Sequence, residues 1–169
     1  RVQVAADTLT ADAAFRLTRE GTALLWRGDF QNARPLLQAM ARRFDRTHGK
    51  AKKPAAGMPE ALNLHRLRQA QRARTLGLLL IPCAAGHVIP LRRAPDVQLA
   101  CREVYGESVE PYVVSLRELL GVIGAHEWRK SGVEVPALGS RIHPRYGVFS
   151  PVRGEYVELV AKAPLPGAL

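Results

Sequence analysis

Residues 77–91 read Gly77-Leu78-Leu79-Leu80-Ile81-Pro82-Cys83-Ala84-Ala85-Gly86-His87-Val88-Ile89-Pro90-Leu91, and the character of the chain changes there. Before this stretch, apolar residues recur at helical spacing. Within it, a β-prone run over 78–83 meets a small-residue turn at 84–86 and a second apolar run over 87–91. That pattern predicts a β-hairpin. Pro82 and Pro90 confine it to edge pairing or strand ends, because proline cannot donate to a ladder. The expected class is therefore α+β: a helical N-terminal half, the hairpin, then further helices and short strands.

Working back from Gly77, Thr10 can cap a helix over 11–26 with Phe15, Leu17, Leu24 and Leu25 on its apolar face. Gly28-Asp29 interrupts it. Asp29 or Asn32 then caps a second helix to about residue 44, with Pro35 acceptable only in the first turn. The two form a helical hairpin over 11–46. Pro59 opens a third helix to about residue 75, with Leu62, Leu64, Leu67 and Ala70 turned inward.

Working forward, Asp96 caps a helix that Tyr105-Gly106 ends. A longer helix is expected over 113–129, carrying Leu116, Leu119, Leu120 and Ile123 on one side. Residues 133–135 and 146–149 read as strands. A short helix within 151–162 turns Tyr156, Leu159 and Val160 inward. The expected organisation is a basic helical region over 1–76 with a mobile loop at 47–58, a small α+β region over 77–163, and a linker over 164–169. The chain begins with Arg1, and a larger enzyme is expected to continue beyond the linker.

The net charge of +10 is unevenly distributed. Residues 1–76 hold fifteen Lys or Arg against six Asp or Glu, and residues 77–169 hold ten against nine. A basic block suggests contact with a polyanion, nucleic acid or the ribosome. Lys50, Lys52, Lys53, Arg66, Arg68, Arg72 and Arg74 gather around the loop and third helix and could neutralise phosphates without reading sequence. A solvated basic surface gives the same composition. No aromatic residues interleave there, which argues against stacking on single-stranded bases.

Motifs that carry chemistry are sparse. His126 and Glu127 are sequence neighbours and do not share a helix face, so they are no metal pair. His87 and His143 are remote in sequence, and no metal site is expected. The serines lack a nucleophile elbow, and no glycine-rich phosphate loop occurs. Glu103, Glu107, Glu110 and Glu118 could meet in space, though a solvated acidic face explains them equally. Cys83 and Cys101 give no disulfide framework and fit reduced, buried thiols in a cytoplasmic protein. No apolar run is long enough to cross a membrane. No catalytic residue is expected within the chain.

The densest mixture of polar, aromatic and turn residues lies over 141–156. Arg153 could hold an anion, and Glu155 at a helix start could cap it or accept from a ligand hydroxyl. The run Val148-Phe149-Ser150-Pro151-Val152-Arg153-Gly154-Glu155-Tyr156-Val157-Glu158-Leu159-Val160 resembles a segment of the class I S-adenosylmethionine methyltransferases of the release-factor glutamine methyltransferase type. It is the segment before the cofactor-binding strand. There a hydrophobic pair leads into Ile-Pro-Arg-Pro, one residue, Thr-Glu and then Leu-Val. Pro151, Arg153, Glu155, Leu159 and Val160 approximate those positions. Val152 separates Pro151 from Arg153, Gly154 stands where proline is common, and Tyr156 and Val157 lengthen the gap to Leu159.

The chain as a whole is similar to the N-terminal part of bacterial proteins of this type. The resemblance implies a helical substrate-recruiting domain, a connecting hairpin, and then a Rossmann-like catalytic domain. That domain would bind S-adenosylmethionine in the longer protein only. The family's Gly-x-Gly-x-Gly loop and Asn-Pro-Pro-Tyr motif are absent from this sequence. Arg153 and Glu155 are the residues it would place at the cofactor or substrate mouth. The acceptor it implies is a translation-related protein or an RNA. Two other classes fit the residues: a non-catalytic basic module binding RNA or the ribosome, and a helical protein-interaction scaffold.

Overall fold

The computed structural model describes residues 1–48, 57–148 and 154–164. The fold is mixed α+β. Two compact units divide it, Arg1–Leu120 and Gly121–Leu169.

The first unit is built on a four-stranded sheet in the order β1-β2-β3-β4. These strands are β1 (Val2–Ala5), β2 (Ala23–Trp26), β3 (Leu79–Cys83) and β4 (Tyr112–Ser115). β1, β2 and β3 run parallel, and β4 pairs antiparallel with β3. Helix α1 (Ala11–Arg19) connects β1 to β2. Helices α2 (Phe30–His48) and α3 (Met58–Gly77) lie between β2 and β3. Both crossovers advance in the same direction along the sheet. With the usual right-handed connection they put all three helices on one face.

Burial follows that arrangement. Leu24 and Trp26 on β2, and Leu79, Ile81 and Cys83 on β3, are sequestered. Ala14 and Phe15 of α1 and Ala33, Leu36, Leu37, Met40 and Phe44 of α2 complete the core. The alternate strand positions Val2, Val4 and Val113 stay largely open. Arg43 on α2 bonds Asp12 on α1, and Arg72 on α3 meets Asp45 on α2 at 3.0 Å.

Several expected elements are redrawn. The first helix stops at Arg19, and Leu24 and Leu25 belong to β2. Thr10 does cap α1, accepting from the Ala13 N–H at 3.3 Å. The pair over 11–46 is thus not a helical hairpin but two helices separated by a buried strand. A parallel strand buried in the sheet shows no apolar–polar alternation, so Ala-Leu-Leu-Trp passes as helix. Asp29 rather than Asn32 caps α2, its Oδ1 accepting from the Gln31 N–H at 2.9 Å. Pro35 lies inside the helix, beyond the first turn. Leu62, Leu64 and Leu67 on α3 are exposed rather than inward, and α3 packs mainly through its last turn, where Thr75 and Leu76 are buried.

The turn after β3 exists, as the 3-10 turn Ala85–His87 closed by a bridge between Ala84 and Val88. Residues beyond it do not continue as a strand, so β3 finds its antiparallel partner in β4 instead. Helix α4 (Gln98–Tyr105) follows, with Asp96 Oδ1 accepting from the Gln98 N–H. Gly106 ends it. The helix expected from residue 113 begins as β4 and only then becomes α5 (Leu116–Ser131), because Tyr-Val-Val-Ser is β-prone.

In the second unit, β5 (Val133–Val135) pairs with β6 (Ser140–Ile142), and α6 spans Gly154–Lys162. Residues 146–148 form no strand, and residue 149 lies outside the described residues. Leu159 and Val160 on α6 are exposed, not inward. No helix among the described residues is long and apolar enough to cross a membrane.

Candidate functional site

A groove of about 560 Å³ runs beside β4 in the first unit. Its walls are His87 and Tyr105, residues 107–115, and Glu118. The 3-10 turn after β3 supplies His87. Gly86 and His87 both take left-handed backbone angles, with φ of 70° and 63°. Glycine adopts that conformation freely, and histidine is among the side chains that tolerate it best. The Gly86 N–H donates to the Ser108 carbonyl at 2.8 Å, tying this turn to the loop before β4.

His87 is almost fully buried, with 1% exposed. Its Nε2 lies 2.8 Å from the Gly106 carbonyl and its Nδ1 2.8 Å from the Tyr112 hydroxyl. A carbonyl only accepts, so Nε2 carries the hydrogen. In the neutral ring Nδ1 then accepts from the Tyr112 hydroxyl. The His87 and Tyr112 rings meet edge to face at 5.7 Å, and Tyr105 stands 6.3 Å from each. This triangle is a rigid aromatic floor with both histidine nitrogens engaged.

Burial, and secondarily contact with the Cys83 thiol, raises the Tyr112 phenol far above its ordinary range, so it stays protonated. Burial also pushes the Cys83 and Cys101 thiols up, against a smaller opposing effect of Tyr112. Burial of this kind disfavours the thiolate, which is the nucleophilic form.

The rim is acidic. Glu118 accepts from the Tyr105 hydroxyl at 2.9 Å, Glu107 meets Arg102 at 3.0 Å, and Glu110 is exposed. Three of the four carboxylates that the sequence left open to convergence, Glu107, Glu110 and Glu118, therefore share one groove. Among the described residues no Lys or Arg lines it. Sequence reasoning missed His87, Tyr105 and Tyr112, since they converge only through the β3–β4 pairing.

The expected basic residues are dispersed. Arg66 is exposed and Arg68 half-buried on α3. Arg72 is engaged by Asp45, and Arg74 borders a separate 300 Å³ pocket with Arg19. Lys50, Lys52, Lys53 and Arg153 lie outside the described residues. Glu155 stands exposed in the first turn of α6. Among the described residues no group of three His, Cys, Asp or Glu could hold a metal.

Open sheets with parallel strands commonly bind ligands beyond the strands' C-terminal ends. Here a hydrogen-bonded network occupies the ends of β1 and β2, and a pocket of about 370 Å³ lies in the loop after β3. Both Asp7 carboxylate oxygens accept from the Asp29 N–H, at 3.1 and 3.2 Å, and Oδ1 also accepts from Asn32 Nδ2 at 2.9 Å. Asp29 is clamped by Arg93 at 2.6 Å, which holds its carboxyl below the usual range. A Cβ on Gly28 would lie 2.7 Å from Asp7 Oδ1 and 2.8 Å from the Trp26 ring. Such a packed, satisfied network caps α2. No known protein-family model matches this chain, and no curated protein matches it as a relative.

Proposed function

We propose that this chain is the recognition region of a methyltransferase, holding a translation-related protein while a C-terminal domain carries S-adenosylmethionine and transfers the methyl group. The observation that carries this reading is the groove beside β4: concave, aromatic-floored, acid-rimmed and backed by a rigid sheet. A surface of that kind supplies orientation and binding energy to an acceptor rather than chemistry. The resemblance over 148–160 supplies the reaction class. The buried, unbridged thiols of Cys83 and Cys101 support a reducing, cytoplasmic setting.

The test is cofactor binding by the longer product of the same reading frame. A product with a Gly-x-Gly-x-Gly segment after residue 169 should bind S-adenosylmethionine in equilibrium dialysis. A longer product that does not bind it, or a frame with no such segment, overturns the reading.

One observation favours a second reading. Arg66 on α3 and the Arg19–Arg74 pocket present positive charge, and none of these residues lines the groove. A non-catalytic RNA- or ribosome-binding module would use those groups. It would show an affinity that falls steeply with salt and is weakened by charge reversal at Arg66.

A further inference from the structure

We infer that the open edge of β4 takes an extended, basic segment of a partner protein as an added strand. This rests on reading the groove as the recognition surface. Among the described residues β4 pairs with β3 along one side and with no strand on the other. Edge strands are usually protected from pairing by charge, proline or a covering element. Tyr112-Val113-Val114-Ser115 contains neither charge nor proline, and the groove runs along it. All four residues of the strand therefore line the groove.

Strand addition draws affinity from main-chain hydrogen bonds and specificity from alternate side chains. Both kinds of contact are present. Val113 is 54% exposed and Val109 87% exposed, offering apolar purchase to one set of partner side chains. Glu107, Glu110 and Glu118 offer charge to the other set. Arg102 offsets Glu107 in part, leaving Glu110 and Glu118 as the principal anionic groups. The local charge is negative on a chain whose net charge is +10. Phosphate groups would be repelled here, so the occupant is a lysine- or arginine-bearing peptide rather than nucleic acid.

The probe is a short capped peptide alternating Lys and Val, titrated by calorimetry into the protein at physiological ionic strength. A Glu–Val peptide of equal length is the comparison. The Lys–Val peptide should bind and the Glu–Val peptide should not. The double substitution Glu110→Lys with Glu118→Gln should weaken binding about tenfold, while Arg66→Glu on α3 should leave it unchanged. Two N-methylated versions of the peptide test the strand itself, each blocking alternate residues. An added strand pairs through one edge only, so one version should lose binding and the other keep it. Equal binding of both charge types, or equal tolerance of both N-methylated versions, overturns the inference. Cofactor binding by the longer product is measured in parallel. Peptide binding without cofactor binding defeats the methyltransferase reading alone, and the converse defeats the added strand alone.

Discussion

The Tyr112 hydroxyl lies 2.8 Å from Nδ1 of buried His87, and His87 Nε2 lies 2.8 Å from the Gly106 carbonyl. The pair joins the turn after β3 to β4 and fixes the groove's floor. Tyr112→Phe keeps the ring and removes the only donor to Nδ1 seen among the described residues. A buried acceptor left unsatisfied costs about 1–3 kcal/mol. Urea denaturation should show that loss, and peptide affinity at the groove should fall with it. An unchanged midpoint would mean that the bond contributes nothing net.

Gly28 is required for close approach, not for an unusual backbone angle. Gly28→Ala would place its Cβ against Asp7 and the Trp26 ring, both parts of the capping network at α2. Overpacking of this kind costs about 1–3 kcal/mol. Thermal unfolding should show a lowered midpoint. A midpoint equal to that of the unsubstituted protein would contradict the packing described.

Cys83 and Cys101 should be silent in the folded protein. Burial raises both thiols, so little thiolate forms at neutral pH, and reaction with a disulfide reagent should follow unfolding rather than precede it. A raised folded value also means that their contribution to stability is complete below the ordinary value of 9.0 and is lost as pH rises above it. Rapid native-state labelling at neutral pH would contradict this.

Asp29 and Asp12 shift the other way. Arg93 holds the first and Arg43 the second below the ordinary carboxyl value of 3.8. Their contribution is present above that value and lost as pH falls through the lower folded values. Stability should therefore drop in acid, and Asp29→Asn should reduce the drop. Identical acid profiles for the two proteins would remove Asp29 from the account.

Local chemistry was legible in the sequence where it is self-contained. Thr10, Asp29 and Asp96 each accept from a backbone N–H near a helix start, as their residue types suggest. Leu79–Cys83 reads as a strand because β-prone residues sit between Gly77 and a turn. Val133–Val135 was likewise read as a strand, whereas β2 and β4 were hidden by their neighbours. Ala-Leu-Leu-Trp follows a helix without a break in apolar spacing, and Tyr-Val-Val-Ser runs straight into α5. The groove was hidden for the same reason. His87 and Tyr112 are far apart in sequence and meet only through the β3–β4 register. Of its parts, only the carboxylates were visible, and their convergence depended on a strand that the helical spacing concealed.

The central claim is that β4 presents a working edge. Amide hydrogen exchange of the full chain, with and without the Lys–Val peptide, tests it most directly. The account predicts new protection over Tyr112–Ser115, with α3 unchanged. Protection confined to α3, with the β4 amides exchanging as before, would contradict it.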